Sequence, residues 1–271
     1  RGRLGYERAS WTLDTYEAFT RRLPDAALVP AADVFDHARM VKSAWEVSHL
    51  GHAAWATDLG LHRAFTEGQL GWSEKDIGDA IQATMLAEGA DYSPFLVLAA
   101  GENTRRVHHF PTRAPIPAGA VVHFDGGGFW QGYYSDLARS AVVGRATDRQ
   151  RDVYRRLAAV QAETIAAVRP GVRACDVYER CRESFALHDL PFGMTLVGHS
   201  LGVVLHEHPV LNAATAEPLQ PGMVLCVEPA TQDDAGDRYH IEDLLLVTEG
   251  KPEILSRATD WSELPVIGAA G

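Results

Sequence analysis

The sequence predicts an α+β protein built from one helix–helix–strands unit used twice. Three observations carry this expectation. Helical and strand-like periodicities come in blocks: two helical stretches, several strand-like runs, two more helical stretches, then strands again. Gly71-x-Ser73-x-x-Asp76-Ile77 echoes Gly171-x-x-x-x-Asp176-Val177, each opening a helix that follows a longer one. Finally, acids at strand-like runs recur about a hundred residues on. Asp125 and Asp136 are followed by Glu228 and Glu242, offsets of 103 and 106 residues by subtraction. A unit used twice sets two acid-bearing hairpins about one pseudo-two-fold axis.

The elements follow in order. Thr15 to Phe19 with Leu23 predicts a short amphipathic helix ended by Pro24, and Ala27-Leu28-Val29 a short strand. From Phe35 to Phe65, apolar residues at helical spacing (Val41, Ala44, Trp45, Leu50, Ala53, Ala54) predict a long helix with a break near Gly51 or Gly60. Ser73 caps the next helix, with Asp76 at the acid position of a capping box. Its buried stripe is Ile77, Ala80, Ile81 and Met85, and Gly89 ends it. Strands are expected at Phe95–Ala99, Ala120–Phe124, Tyr133-Tyr134 and Ser140–Val143. Helices are expected at Asp148–Val168, stopped by Pro170-Gly171, and at Asp176–His188. The last strands are Thr195–Val197, Val203–Leu205, Met223–Val227 and Ile241–Val247.

Charge and cysteine usage narrow the function classes. A net charge of −11 argues against nucleic acid or an anionic membrane as the main partner. Cys175, Cys181 and Cys226 are odd in number and lack a tight spacing, which argues against a disulfide framework and fits a reducing, cytoplasmic compartment. No run of 18 apolar residues predicts a transmembrane helix, and no signal peptide is visible.

The chemistry sits in four clusters. The first is Asp125-Gly-Gly-Gly-Phe-Trp-Gln-Gly-Tyr-Tyr-Ser-Asp136, two carboxylates at the ends of a Gly- and aromatic-rich segment. The second is Gly198-His199-Ser200, followed by His206-Glu207-His208-Pro209; the third is Gly222-Met223-Val224 leading to Glu228-Pro229; the fourth is Tyr239-His240-Ile241-Glu242-Asp243. Acids within or at the ends of apolar strands are buried on at least one side, and a cation is the strongest partner for a buried charge. Four carboxylates and one imidazole suit a pair of fairly hard divalent ions, manganese, iron(II), cobalt or zinc, over a thiolate-type structural zinc. Such a pair generates a nucleophile and polarises a carbonyl.

In this order and at these spacings the clusters resemble the pita-bread metallohydrolases, the superfamily of methionine aminopeptidase, aminopeptidase P and prolidase. The match covers about residues 36 to 255. It includes Asp125, Ser135-Asp136 and Arg139, His199 with His206 seven residues on, Glu228-Pro229 and Ile241-Glu242-Asp243. Gly101-x-Asn103, His108 and Pro111-Thr112 match the aminopeptidase P and prolidase branch, and Arg39-x-x-Lys42 with Glu46 resembles the start of its catalytic domain. The resemblance implies a pita-bread fold, two halves around a curved antiparallel sheet. It implies a catalytic domain over 36–271, with residues 1–35 the tail of an N-terminal domain, and a homodimer. It implies metal ligands Asp125, Asp136, His199, Glu228 and Glu242, with Asp136 and Glu242 bridging. Glu228 would also move the proton of the attacking water, His206 would hold the substrate carbonyl or oxyanion, and His108 would line the site and protonate the leaving nitrogen. The implied reaction is hydrolysis of an amide near the N-terminus of a peptide or dipeptide, as in Xaa-Pro peptidases.

Several positions depart from the branch. Ala138 stands where Thr is usual, Ser200 where Gly is usual, and Ala230 follows Glu228-Pro229 in place of Gly. His240 stands where prolidases and aminopeptidases P carry a substrate-fixing Arg, which puts proline-dipeptide cleavage in question and leaves His240 as the substrate-binding candidate there. Two alternatives therefore stand beside the peptidase: a relative acting on a small molecule as a C–N hydrolase or lyase, and a metal-free binding module.

Overall fold

The computed structural model describes residues 2–256 and 259–268. A small unit comes first: β1 (Arg3–Tyr6), α1 (Leu13–Arg22) and β2 (Ala27–Pro30), with β1 and β2 paired in parallel. Thr12 caps α1 by accepting from the Thr15 N–H. A bidentate pair from Arg39 to Glu7, at 2.7 and 3.0 Å, ties this unit to the next helix.

The long helical stretch is interrupted, but not at a glycine. It divides into α2 (Ala32–Met40) and α3 (Ala44–Glu67), and α3 runs unbroken through Gly51 and Gly60. The break falls at Val41–Ser43 for two local reasons. Val41 bridges to Met223 in strand fashion, and Ser43 forms a capping box with Glu46 that starts a new helix.

The first half continues with α4 (Glu74–Ala87), β3 (Tyr92–Ala100), β4 (Val121–Trp130), β5 (Tyr133–Tyr134) and β6 (Leu137–Val143). The second half holds α5 (Asp148–Ala167), α6 (Ala174–Leu187), β7 (Leu196–Ser200), β8 (Glu207–Asn212), β9 (Val224–Val227), β10 (Ala230–Gln232), β11 (Arg238–His240), β12 (Asp243–Leu246) and β13 (Glu253–Ile254). A last short strand, β14 (Val266–Ile267), returns to pair in parallel with β6. One sheet has the order β14-β6-β4-β3, with β5 on β4; the other is β13-β12-β9-β7-β8. Apart from β14–β6, the pairs within these two sheets are antiparallel. The apolar run Val203–Leu205 is not the expected strand. It lies in a bend, with Val203 and Val204 exposed, because the Glu207 carboxylate takes the Val204 N–H and Gly202 pairs with the Val204 carbonyl.

The two halves are copies at the level of backbone. α4 and α6 begin and end a hundred residues apart, and each follows a glycine of positive φ, Gly71 at +89° and Gly171 at +82°. Gly119 and Gly222 likewise share positive φ and donate to Val143 and Val247 at 2.7 and 2.9 Å. One core lies under α3 and α4 (Leu50, Leu61, Ile77, Ile81, Met85 with Leu98 and Phe124), the other under α5 and α6 (Tyr154, Leu157, Phe185 with Leu225 and Val227). Strand alternation then turns His123 and Asp125 of β4 away from the helices that Val122 and Phe124 pack against. The sheets meet where Glu242 donates its N–H to the Ala138 carbonyl at 2.9 Å, an isolated antiparallel bridge.

Candidate metal centre

The seam between the halves is where the predicted acids converge. Asp125 comes from β4, Asp136 from the turn before β6, Glu228 from the end of β9, and Glu242 from the residue before β12. Carboxylate oxygens of Asp125, Asp136 and Glu242 all lie within 4.8 Å of one another. His199 joins them from β7. The pairing of β7 with β8 slips on both sides of His199, which frees the imidazole from strict alternation with core residue Val197. Its Nε2 stands 3.7 Å from Asp136 Oδ2 and 3.7 Å from Glu228 Oε1. The glycines beside these ligands leave room for the close approach. A Cβ at Gly198 would lie 2.1 Å from the Cys226 carbonyl oxygen, and one at Gly127 would lie 1.8 Å from that of Ser135.

The donor set fits a divalent cation. His199 Nδ1 faces the Ser200 carbonyl at 3.0 Å, an acceptor, so Nδ1 carries the proton and Nε2 offers its lone pair to the centre. Burial and the neighbouring His206 hold the His199 imidazole down to about 4, so it is neutral at pH 7. Asp136 Oδ1 and Glu242 Oε1 are buried and, among the described residues, take no hydrogen bond. Burial, together with repulsion among the four acids, pushes Asp136 and Glu242 well above the usual carboxylate range. Glu228 rises to about 8 through burial and the Asp125 charge; burial lifts Asp125 to about 6 against the charges of Arg238 and His108. Carboxylates so crowded and so short of donors are compensated by a metal ion, not by protein groups.

Around this centre the expected histidines take different places. His206 is exposed, its ring 4.1 Å from that of His199, and burial lowers its pKa. His108 is exposed and close enough for its charge to act on Asp125. Its neighbour His109 instead turns inward and meets Glu74 at 3.0 Å. Glu74 also accepts from Ala100 N–H, Asn103 Nδ2, and the Thr112 N–H and hydroxyl, so one buried carboxylate pins the loop that carries His108. Burial raises Glu74, but these hydrogen bonds outweigh it and hold the acid below its usual value.

His240 stands beside the acids, with Nδ1 3.9 Å from Asp125 Oδ2 and Nε2 3.7 Å from Glu228 Oε2. It is 1% exposed, and both ring nitrogens face protein groups: Nε2 the Glu228 carbonyl and Nδ1 the ring of His123, each at 3.2 Å. Arg238, two positions earlier on β11 and so on the same face, is a basic residue that the sequence motifs did not single out. A basic residue alternating with His240 before Ile241-Glu242 was the available signal.

Two pseudo-symmetric halves closing on a carboxylate-rich centre define a metal-dependent hydrolase of the pita-bread fold. The chain belongs to metallopeptidase family M24, whose model matches residues 48–249. An uncharacterized peptidase of Bacillus subtilis is 32% identical over 250 residues, covering 91% of this chain and 70% of that protein. An Xaa-Pro dipeptidase of Pyrococcus furiosus is 26% identical over 229 residues, covering 83% of this chain and 65% of that protein. Among solved structures, an Xaa-Pro dipeptidase from Bacillus anthracis superposes with a TM-score of 0.89 at 25% identity, covering 98% of this chain and 75% of that one. The chain thus spans 65% to 70% of the length of these two curated relatives. Among the described residues, no helix is long and apolar enough to cross a membrane.

Proposed function

We propose that this chain is the catalytic part of a dinuclear metallopeptidase that cleaves the amide near the N-terminus of a dipeptide or short peptide, with Xaa-Pro substrates first in line. The observation that carries the reading is the convergence of four carboxylates and the His199 Nε2 lone pair on one buried seam. Asp125, Asp136, His199, Glu228 and Glu242 would hold two divalent ions, Asp136 and Glu242 serving both. The oxygen-rich set favours manganese, with iron(II), cobalt and zinc as alternatives. When bound, such ions supply a water acidic enough to attack at neutral pH and polarise the substrate carbonyl.

The chain's own groups do the rest. The Glu228 carboxylate takes the proton of the attacking water and passes it towards the leaving nitrogen. His206, at the open side of His199, donates a hydrogen bond to the carbonyl oxygen as negative charge develops there. His108, on the loop pinned by Glu74, stands at the mouth and delivers a proton to the departing amine. In this reading residues 36–271 form the catalytic domain and 1–35 belong to an N-terminal one, the protein pairs as a homodimer, and three free cysteines fit a cytoplasmic setting.

One observation favours a second reading, a small-molecule C–N hydrolase or lyase: the expected substrate-fixing Arg is replaced by an enclosed His240. A metal-free binding module has no such support, since all five donors are in place. Metal quantification joined to a panel of Xaa-Pro dipeptides, longer peptides and small amides separates these. The expected result is two equivalents of metal and preferred turnover of Xaa-Pro dipeptides. Turnover of small amides without any peptide would sink the peptidase in favour of the second reading.

A further inference from the structure

Strand β11 presents two basic side chains on one face, and they have opposite surroundings. His240 is closed off. Its Nε2 meets the Glu228 carbonyl, an acceptor, so Nε2 carries the proton; Nδ1 must then accept, and it takes the Nε2–H of His123. Neither nitrogen is left for a substrate. Arg238, about 6.6 Å along the strand, is only partly buried, and its side chain makes no hydrogen bond or ion pair among the described residues. Its Nε is buried without a partner. The acids that act on its charge are Asp125 and Glu228, from beyond ion-pair distance. Arg238 also lines a cavity of about 360 Å³, together with Thr104, Arg105, Phe192, Met194, Thr231 and Asp233. That space suits one amino-acid residue, with Phe192 and Met194 for a side chain and the Arg238 guanidinium for an anionic end, since Arg105 already donates to the Ala235 carbonyl and Asp233 pairs with Arg149.

A guanidinium drawn out of water without a counter-ion is costly, and its planar donors match a carboxylate. We propose that Arg238 binds the carboxylate of the substrate residue that follows the scissile bond, so that position 238, not 240, selects short substrates with a free C-terminus. This rests on the peptidase reading for what the carboxylate belongs to. A dipeptide whose amide lies at the seam carries its carboxylate only two atoms beyond the scissile nitrogen, and two acids of that seam, Asp125 and Glu228, are near enough for their charges to act on Arg238.

The test uses binding as well as turnover. Metal-loaded wild type, Arg238→Ala and Arg238→Met are titrated with L-proline and L-prolinamide, and their metal content is measured. Wild type is expected to prefer the carboxylate by roughly 10- to 100-fold, as a charge-assisted hydrogen bond confers. Both variants should lose that preference at full metal content, while KM for Xaa-Pro dipeptides rises by a similar factor and kcat changes little. Absence of the preference in wild type, its retention in either variant, or loss of metal from both variants overturns the proposal. If wild type shows the Arg238-dependent preference yet hydrolyses no peptide, the peptidase reading fails while Arg238 remains a carboxylate-binding residue.

Discussion

At the scale of the residue, the centre is a set of charges that the protein alone does not balance. Asp136 and Glu242 each hold a buried oxygen that takes no hydrogen bond among the described residues, and His199 turns an unprotonated nitrogen towards them. Asp136→Asn keeps the shape and removes a charge; His199→Ala removes the neutral donor. Each is expected to release metal and to lower kcat/KM by roughly 1000-fold or more. Full activity in either variant, with metal retained, would remove that residue from the ligand set. The raised carboxyls also set a pH dependence for the metal-free protein. Glu228 titrates near 8 and Asp125 near 6 when folded, against about 4 for such groups in an unfolded chain. Between pH 4 and 8, as those values set the window, the folded state therefore holds protons that the unfolded state has released. Stability then falls as pH rises through the window. The Tm of chelated protein should drop by about 5–10 °C from pH 5 to pH 8, whereas manganese-loaded protein should gain stability over the same range, because metal displaces those protons. A chelated Tm that rises with pH across that range would contradict this crowding of buried acids.

At the scale of the element, the two glycines of α3 separate what periodicity can tell from what it cannot. Gly51 has open space where a Cβ would be, while a Cβ at Gly60 would sit 2.9 Å from the Ile81 carbonyl oxygen of α4. Gly51→Ala should therefore stabilise by about 0.5–1 kcal/mol through helix propensity. Gly60→Ala should destabilise by about 1–3 kcal/mol by forcing α3 from α4. Urea melts of both variants check this, and equal shifts would mean that Gly60 is not a packing contact. In the sequence both residues look like breaks; only the neighbouring helix distinguishes them. The same limit explains the other differences. Helices with clear stripes and caps, such as α4 and α5, were legible, as were the four clusters that supply the donors, because both are local patterns. Val203–Leu205 has strand composition but is bent by the Glu207 side chain, and β10 and β11 are too short to show a period. The surroundings of His240 were not legible either, since His123, which lies against its ring, is 117 residues away. The Glu74 hub was likewise invisible, since its partners Asn103, His109 and Thr112 gather only once β3 has brought the loop back to α4.

At the scale of the molecule, the site is a property of the joint between two copies of one unit. Asp125 and Asp136 belong to the first half, His199, Glu228 and Glu242 to the second, so the proposed ions would fasten the halves together. The protein already has one fastening of its own. Arg139 of β6 is fully buried, donates through one nitrogen to the Ala138 and Glu242 carbonyls, and through the other pairs with Asp243 at 2.6 Å and Asp58 at 3.5 Å. It thus reaches from the first half across the seam to the backbone of Glu242, one of the proposed bridging ligands. Its guanidinium fork serves both purposes, and lysine cannot reproduce it. Arg139→Lys should lower the stability of chelated protein by about 1–3 kcal/mol, as buried acceptors lose donors. It should also weaken metal binding by roughly 10- to 100-fold, the usual effect of disturbing a group that orients a ligand. These two effects are separable by unfolding in urea with and without metal. At a fixed metal concentration, each tenfold loss of affinity removes about 1.4 kcal/mol from the stability that metal adds. The variant should therefore lose more stability in the loaded state than in the chelated one. Equal losses in the two states would show that Arg139 holds the halves together without setting the position of Glu242.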